Sequence, residues 1–180
     1  MLENVIIAGA GGQGIMLLGK ILAEAAMYGG REITWLPSYG PEVRGGAASC
    51  TVVIADKKIG SPFVDQADTL IIMNEPSLLK FQNRIKKGGV LFVNSSLVES
   101  EVQSKECRVL KFPFSQIAQK LGNIKVANVV ALGSYAAETK IITPLHVVAA
   151  MERMAPQGQK DLVEINKAAF YQGMELVGNA

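Results

Sequence analysis

The hydrophobic pattern at the start of the chain predicts a strand, a helix and a second strand. A short run of β-forming residues covers Asn4 to Ala8, and apolar residues at helical spacing follow from Gln13 to Tyr28. The apolar stripe of this helix is wide, so we expect neighbours on more than one side of it. Gly29 and Gly30 end the helix, after which Glu32 to Leu36 forms a strand pattern. The chain therefore opens with a βαβ unit.

The next part of the chain predicts a mixed sheet rather than a purely parallel one. A turn-rich loop runs from Pro37 to Gly46, and a third strand pattern covers Ala47 to Ala55. Because this loop contains no helix and is too short for a parallel crossover, we expect the third strand to run antiparallel. Asp56 to Lys58 has the composition of a hairpin turn, and Ile59 is expected to begin a short return strand.

Strand and helix patterns alternate again in the middle of the chain. The strand pattern from Thr69 to Met73 is followed by Asn74, which can cap a helix over Glu75 to Lys86. The lysines and glycines at 86–89 are expected to close that helix. The remaining predictions here are strands at Val90 to Val93 and Arg108 to Phe112, a polar surface loop at Ser95 to Ser104, and a short helix that Ser115 can cap and that ends at Gly122.

The last third of the chain is predicted to be helical. Three helices are expected at Asn128 to Thr139, Pro144 to Met154 and Leu162 to Val177. The first of them is nearly free of charge and rich in small residues, so it must be buried, either inside the domain or against another chain. The whole pattern indicates a single α/β domain over residues 1–180, Rossmann-like and three-layered, with a mixed, mainly parallel sheet and a helical C-terminal part.

Composition narrows the classes of function. Hydrophobic residues make up 49% of the chain and charged residues 19%, so a large core can form with apolar surface left over for a partner. The net charge of +2 and the lack of a Lys/Arg-rich block favour neither nucleic acid nor a membrane surface. The N-terminal residues lack a signal-peptide pattern and no apolar run is long enough to span a bilayer, so a cytoplasmic location is expected.

A glycine-rich turn between the first strand and the first helix is the main candidate site. Gly9-Ala10-Gly11-Gly12-Gln13-Gly14 matches the dinucleotide fingerprint, in which glycines let a phosphate approach the backbone N–H groups at a helix N-terminus. A nicotinamide site also needs an acid at the end of the second strand, and Thr34-Trp35-Leu36-Pro37 contains none, which disfavours ordinary NAD binding. Two interpretations stay open: an anion-binding turn, or a tight turn that only packs the helix on the sheet.

The loop from Pro37 to Gly46 is the second candidate site. It combines two prolines, three glycines, one aromatic residue, one acid and one base, a composition typical of preorganised recognition loops. Arg44, followed by Gly45 and Gly46, can present its planar guanidinium to a phosphate or a carboxylate. The alternative is an ion pair between Arg44 and Glu42 that only stiffens the loop.

The rest of the sequence contains no catalytic constellation and no metal-ligand spacing. His146, the only histidine, is expected to be exposed in the first turn of its helix, and no nucleophile motif accompanies it. Asp65 and Asp68 are expected to lie in a solvated turn before a strand. Cys50 and Cys107 lie in different strand-like segments and are expected to be reduced core residues. Two cysteines alone cannot ligate an iron–sulfur cluster, which needs four ligands.

Together, the glycine turn and the loop resemble those of a known family. The pair is similar to that of the gamma subunit, or gamma domain, of 2-oxoacid:ferredoxin oxidoreductases, especially those acting on 2-oxoglutarate. The likeness covers essentially the whole chain, including the order of elements and the helical tail with Asn128 and Gly133. The paired motifs are far more specific than a lone glycine fingerprint. They are Gly9-Ala10-Gly11-Gly12-Gln13-Gly14 and Pro37-Ser38-Tyr39-Gly40-Pro41-Glu42-Val43-Arg44-Gly45-Gly46.

The resemblance implies a non-redox component of a larger enzyme. That enzyme converts a 2-oxoacid and coenzyme A to an acyl-CoA and carbon dioxide and passes electrons to ferredoxin. Thiamine diphosphate is then expected between the alpha and beta subunits, and iron–sulfur clusters in cysteine-rich subunits, with a delta subunit also expected in the complex. This chain is expected to bind no cofactor and to be inactive alone, where it can form a homodimer.

The resemblance also implies candidate site residues, because the family's gamma domain lies near the point where coenzyme A reaches the active site. The candidate contacts to coenzyme A or a neighbouring subunit are Gly9, Gly11, Gly12, Gln13, Gly14, Tyr39, Glu42, Arg44, Gly45 and Gly46. Two other functions stay open. One is a free-standing Rossmann-type nucleotide-binding oxidoreductase, and the other is a purely structural assembly subunit with an empty glycine turn.

Overall fold

The first two thirds of the chain contain six strands with helices between some of them, and the last third is helical. The computed structural model describes residues 1–39, 47–104, 106–156 and 158–178, apart from the side chain of Tyr39. The strands are β1 (Leu2–Ala10), β2 (Glu32–Tyr39), β3 (Ala47–Ala55), β4 (Ala67–Ile72), β5 (Ile85–Asn94) and β6 (Arg108–Phe112). The helices are α1 (Ile15–Tyr28), α2 (Glu75–Phe81), α3 (Phe114–Lys120), α4 (Ala127–Thr139), α5 (Pro144–Met154) and α6 (Lys160–Gly178), with 3-10 turns at Gln82–Arg84 and Ile124–Val126.

The six strands form one mixed sheet in the order β2-β3-β1-β4-β5-β6. Neighbouring strands from β1 through β4 and β5 to β6 are parallel. In contrast, β3 is antiparallel to both of its neighbours, β1 and β2. This confirms the antiparallel third strand and the mainly parallel sheet. The carboxyl ends of the parallel strands consequently meet at one edge, which is where open α/β sheets bind ligands.

The end of β2 lies at this same edge of the sheet. Tyr39 pairs with Ala48, and Ala48 pairs with Gly9 of β1. Two strand spacings, roughly 10 Å, therefore separate the end of β2 from the glycine turn. The chain leaves the described residues at Tyr39 and returns at Ala47, opposite Ala10.

One face of the sheet is covered by α1 and α4, and α5 packs against the outer side of α1. The side chains of Val5, Ile7 and Phe92 point to this face and belong to the same apolar cluster as the buried sides of the helices. Helix α1 contacts β2, β3, α4 and α5, so it is covered on more than one side, as predicted. The other face is covered by α2, whose Leu78 and Phe81 pack against a second apolar cluster. The three-layer architecture is thereby confirmed.

Helix α4 is buried within its own domain, against α6. A Cβ built on Gly133 would lie 2.0 Å from the carbonyl oxygen of Phe170, and one on Gly173 would lie 1.9 Å from that of Val130. The hydroxyl of Ser134 donates a hydrogen bond to the carbonyl of Gly173, at 2.8 Å. The small residues that made this helix look like a partner surface in the sequence therefore serve an internal contact between two helices.

The helix predicted over Glu75 to Lys86 is too long, because α2 ends at Phe81. A 3-10 turn at Gln82–Arg84 follows, and the chain then joins β5 at Ile85, which pairs with Ala67. Pairing with β4 thus takes precedence over the helical pattern. Lys86, expected to close a helix, instead lies in a strand and bonds to the Asp68 carboxylate at 2.8 Å.

Two smaller predictions in the same region are also wrong. Ile59 begins no return strand, because both edges of β3 are already paired with β1 and β2. Asp68 does not lie in a solvated turn, since it belongs to β4, is half-buried and accepts a hydrogen bond from the backbone N–H of Asn4 at 2.9 Å. In the part of the chain that is described, no helix is both long and apolar enough to cross a bilayer.

Candidate functional site

The glycine turn connects β1 to the start of α1 at the carboxyl edge of the sheet. Gly12 and Gly14 have φ of +95° and +73°, in the left-handed region that favours glycine. Gly11 and Gly12 are exposed, and a Cβ built on Gly12 would meet no atom within 4 Å. The backbone of these two residues is therefore open to an incoming molecule at the N-terminal end of a 14-residue helix.

Two other glycines of the turn are explained by packing. A Cβ on Gly9 would lie 2.6 Å from Oε1 of Gln13 and 2.9 Å from Cβ of Met73. One on Gly14 would lie 2.3 Å from Nδ2 of Asn128. The two interpretations of the fingerprint therefore apply to different residues. Gly9 and Gly14 make the turn tight, whereas Gly11 and Gly12 leave it open.

Gln13 closes the turn from the inside. Its Oε1 accepts a hydrogen bond from the backbone N–H of Ala10 at 2.7 Å, and its Nε2 donates one to the carbonyl of Met73 at 3.2 Å. Its own backbone N–H donates to the carbonyl of Ala10 at 3.2 Å. The amide of Gln13 therefore bonds within the fold and ties the end of β1 to the end of β4.

A buried amide extends this tie to β5 and α3. The Nδ2 of Asn94, a fully buried residue at the end of β5, donates to the carbonyl of Met73 at 3.2 Å and to Oγ of Ser115 at 2.8 Å. Its Oδ1 accepts from the backbone N–H of Ser115 at 3.3 Å. Ser115 was expected to cap α3, but the N-cap residue is Pro113 and Ser115 bonds to Asn94 instead. Sequence reasoning missed Asn94, although a single polar residue at the end of an apolar strand is a usable signal.

The turn is tied to α4 on its other side. The Nδ2 of Asn128 donates to the carbonyl of Gly14 at 3.0 Å. Asn128 is 1% exposed and lies in the first turn of α4, just after the 3-10 turn at Ile124–Val126. Four elements that are far apart in sequence thus hold the turn in a single shape.

A small cavity of about 200 Å³ opens beside the turn. Leu97 and Ile124 at its margin are 46% and 54% exposed, which is high for large apolar side chains. Lys125 also lines it and forms no ion pair with any described residue. The other lining residues are Gly12, Gln13, Met73, Ser115 and Ala127. Open backbone amides, apolar surface and one ammonium group therefore converge at the carboxyl edge of the sheet.

Two much larger clefts lined by described residues lie away from this edge. One of about 690 Å³ lies beside Met1 and Asp56, at the start of β1, and one of about 440 Å³ lies between α5 and α6. Neither borders the carboxyl end of a parallel strand. Since ligands of open α/β sheets bind at those ends, the smaller cavity is the better candidate despite its size.

Most of the second candidate site lies outside the described residues. Glu42, Arg44, Gly45 and Gly46 belong to that segment, and for Tyr39 only the backbone, at the end of β2, is described. The choice between a ligand-binding Arg44 and an ion pair with Glu42 therefore stays open. The described flanks of the loop do lie at the same edge of the sheet as the glycine turn.

The remaining reactive side chains have structural surroundings. Burial raises the pKa of Cys50 to about 12, and its thiol donates to the carbonyl of Ile15 at 3.5 Å, so it is a reduced core residue as expected. Cys107, expected to be a core residue, is only half-buried, because it precedes β6 rather than lying inside it. His146, predicted to be exposed, is also half-buried, because its ring in the first turn of α5 lies against Gly29 at the end of α1. Within residues 1–39, 47–104, 106–156 and 158–178, no cluster of three His, Cys, Asp or Glu could hold a metal ion.

Comparison with known proteins places this geometry in a family. Residues 4–176 match the model of the pyruvate ferredoxin/flavodoxin oxidoreductase family. Over 98% of its length the chain is 36% identical to the 2-oxoglutarate synthase subunit KorC of Methanocaldococcus jannaschii, covering 94% of that protein. The fold matches the crystal structure of a keto/oxoacid ferredoxin oxidoreductase gamma subunit from Geobacter sulfurreducens, with 34% identity, a TM-score of 0.85 and 99% of both chains covered.

Another relative is much longer than this chain. Over 130 residues, 72% of its length, the chain is 43% identical to the ketoisovalerate oxidoreductase subunit VorA of Methanothermobacter thermautotrophicus. The match covers 27% of that protein, so the chain spans about a quarter of the length of this relative. The same kind of domain thus occurs both as a separate subunit and as part of a longer chain.

Proposed function

The chain belongs to the pyruvate ferredoxin/flavodoxin oxidoreductase family, and on this premise we propose that it is the gamma subunit of a 2-oxoacid:ferredoxin oxidoreductase. The enzyme would convert a 2-oxoacid, coenzyme A and oxidised ferredoxin to an acyl-CoA, carbon dioxide and reduced ferredoxin. 2-Oxoglutarate is the favoured substrate, because the relatives that match the chain end to end include 2-oxoglutarate synthase subunits. The resemblance first drawn from the two motifs is confirmed at the level of the family.

The donor set of this chain supports a location of the redox chemistry in partner subunits. Cys50 is buried in β3 and Cys107 precedes β6, so these two residues cannot provide the four ligands of an iron–sulfur cluster. Thiamine diphosphate, which stabilises the acyl carbanion formed on decarboxylation, is likewise proposed to lie in the alpha and beta subunits, with the clusters in those or in a delta subunit. The chain's own contribution is then to assemble with these subunits and to position coenzyme A.

One observation carries the positioning role: the exposed glycine turn, through Gly12, borders a cavity with apolar walls and one ammonium group. Coenzyme A has anionic phosphates and an uncharged pantetheine arm that ends in a thiol. Backbone N–H groups at a helix N-terminus favour anions, as does the ammonium of Lys125. The exposed side chains of Leu97 and Ile124 can contact the pantetheine arm.

The candidate contacts of the second motif complete this proposal. Tyr39, Glu42, Arg44, Gly45 and Gly46 belong to the loop whose described flanks reach the same edge of the sheet. Gly9, Gln13 and Gly14 act through the shape of the turn. None of these residues needs to exchange a proton, because holding the thiol in place beside the acyl group is itself a means of lowering the barrier.

The proposal is tested on the assembled enzyme. Co-expression of this chain with its neighbouring genes should give a complex that reduces ferredoxin with 2-oxoglutarate only when coenzyme A is present. In that complex, Arg44→Ala should weaken the affinity for coenzyme A and leave the KM for the 2-oxoacid unchanged. Unchanged affinity for coenzyme A would assign Arg44 to the structural interpretation instead.

A second candidate function is a purely structural assembly subunit. The tight packing of Gly9 and Gly14 favours it, because those two glycines need no ligand to explain them. In that case Gly11, Gly12 and Lys125 can all be substituted without any effect on coenzyme A, while the complex loses stability. Dimerisation of the isolated chain and a cytoplasmic location stay predictions.

A further inference from the structure

We propose that Asn128 is a positioning residue, which sets the shape of the glycine turn and thereby the affinity of the assembled enzyme for coenzyme A. This inference rests on the proposed function, and it assigns a role to a side chain that is not itself a ligand contact. Asn128 is 1% exposed and is one of the few polar residues in the core. A buried amide needs partners for both of its ends, and the identity of those partners shows what it does.

Both ends of the Asn128 amide have a partner. Nδ2 donates to the carbonyl of Gly14 at 3.0 Å, across 114 residues of sequence. Oδ1 accepts from the backbone N–H of Val129 at 2.9 Å. The second bond orients the amide so that its donor faces the turn. The Gly14 carbonyl also accepts from the N–H of Leu18 at 2.9 Å, so the same oxygen begins helix α1.

Asn128 and Gly14 also fit each other in shape. Gly14 is left-handed, with φ of +73° and ψ of +24°, and provides no side-chain cap for α1. A Cβ on Gly14 would lie 2.3 Å from Nδ2 and 2.9 Å from Cγ of Asn128. The asparagine therefore occupies the space that a side chain at residue 14 would need.

The position of Asn128 gives this contact a functional consequence. Gln13 ties the first half of the turn to Met73, and Asn128 ties the second half to α4. The open residues Gly11 and Gly12 lie between these two ties. Asn128 also directly follows Ile124, Lys125 and Ala127, which line the opposite wall of the cavity. The hydrogen bond from Asn128 thus fixes the second half of the turn and links it to the facing wall of the cavity.

The test is Asn128→Ala in the assembled complex. We expect the Kd for coenzyme A, measured by calorimetry without 2-oxoacid, and the KM for coenzyme A both to rise roughly tenfold, the effect of one well-aligned buried hydrogen bond. The KM for the 2-oxoacid should stay within about twofold, because a local shift of the turn leaves the partner subunits' site in place.

Ser134→Ala is the matched control. Ser134 lies on the same helix, is fully buried and donates to a backbone carbonyl of another element, that of Gly173. The Ser134→Ala variant therefore lacks the same kind of hydrogen bond, but at a distance from the glycine turn. It should lower the Tm of the complex about as much as Asn128→Ala does and leave the Kd for coenzyme A unchanged.

Asn128→Asp provides an independent test of the same hydrogen bond if the complex containing Asn128→Ala does not assemble. A protonated carboxyl can donate to the Gly14 carbonyl, whereas an ionised one cannot. The affinity of this variant for coenzyme A should therefore fall more steeply with rising pH than that of the wild type.

Two results would overturn the inference: an unchanged Kd for coenzyme A in Asn128→Ala at a lowered Tm, or parallel pH profiles for Asn128→Asp and the wild type. Either leaves the proposed function intact as long as the wild-type complex contains this chain and binds coenzyme A. A wild-type complex that does not bind coenzyme A removes the proposed function, and this inference with it.

Discussion

The contact between α4 and α6 and the turn between β1 and α1 both depend on glycine, but in opposite ways. At the helix contact, the space that a side chain would fill at Gly133 or Gly173 is occupied by the backbone of the other helix. At the turn, the corresponding space at Gly12 is empty and faces solvent. The contact between α4 and α6 is filled by the chain itself. The glycine turn is fixed by hydrogen bonds from Gln13 and Asn128, but its exposed side at Gly12 is unfilled.

This difference separates residues that stabilise the chain from residues that can bind something. Glycine disfavours folding through its backbone entropy, so each one needs a compensating gain. At Gly133 and Gly173 the gain is close packing of two long helices. At Gly12 no described atom lies where a side chain would stand, and the neighbouring Gly11 is exposed, which is why we propose a binding role for these two residues.

Gly133→Ala should have the largest effect on stability. Its Cβ would overlap the carbonyl oxygen of Phe170 at 2.0 Å, and a backbone atom in a helix cannot move aside as a side chain can. We expect the free energy of unfolding to fall by roughly 3 kcal/mol or more, measured by urea unfolding. Gly60→Ala, where a Cβ meets no atom within 4 Å, is the control. Equal losses in the free energy of unfolding for the two variants would show that α4 and α6 leave room for a side chain at residue 133.

Gly14→Ala should have an intermediate effect. The substitution forces a left-handed alanine against the amide of Asn128, at a cost of about 2 kcal/mol from backbone strain and displacement of that side chain. Both the stability of the chain and the affinity of the complex for coenzyme A should fall. A loss of affinity without a loss of stability would contradict the packing role of this residue.

Gly12→Ala should lower the stability of the chain only slightly and weaken the binding of coenzyme A more strongly. Its strain comes from φ alone, about 1 kcal/mol, because no neighbour is displaced. The new methyl group would stand where the backbone is open to a ligand, so the Kd of the complex for coenzyme A should rise several-fold. Gly30→Ala is closely matched, with φ of +73°, an empty surrounding and a position at the far end of α1. A similar change in Kd for both variants would remove the special role of Gly12.

The smallest effect is expected at Cys50, which lies behind the first turn of α1. Burial raises the pKa of its thiol to about 12, so almost none of it is thiolate at pH 8. In the native chain a disulfide reagent should therefore react with Cys107, which is half-buried, and not with Cys50. The Cys107→Ser variant should show no reaction until it is unfolded. Reaction of Cys50 in the folded variant would mean that the junction between the turn and α1 opens.

Much of the fold could be predicted from local pattern. β6 and α5 have the predicted boundaries, because a strand of alternating residues and a Thr-Pro helix start are local signals. The end of α2 could not be predicted in this way. The residues after Phe81 continue a helical pattern in the sequence, and only the pairing of β5 with β4 converts them to a strand.

The position of the candidate site could be predicted from the sequence, but the contacts that shape it could not. The fingerprint identifies the glycine turn because its spacing is local. Asn128 bonds to it across a long stretch of sequence, and Asn94 supports it through the Met73 carbonyl, which also accepts a hydrogen bond from Gln13. Neither asparagine carries a motif of its own. The division of the glycines into packed and open residues likewise depends on what lies opposite each one, which only the folded structure provides.

Hydrogen–deuterium exchange on the assembled complex tests the central claim most directly. Gly11 and Gly12 are exposed residues, and a bound phosphate would accept hydrogen bonds from their backbone N–H groups. We expect a peptide covering residues 9–14 to exchange more slowly when coenzyme A is added, and a peptide within α6 to be unaffected. Unchanged exchange at residues 9–14 in a complex that is turning over with coenzyme A would contradict the claim that this turn receives it.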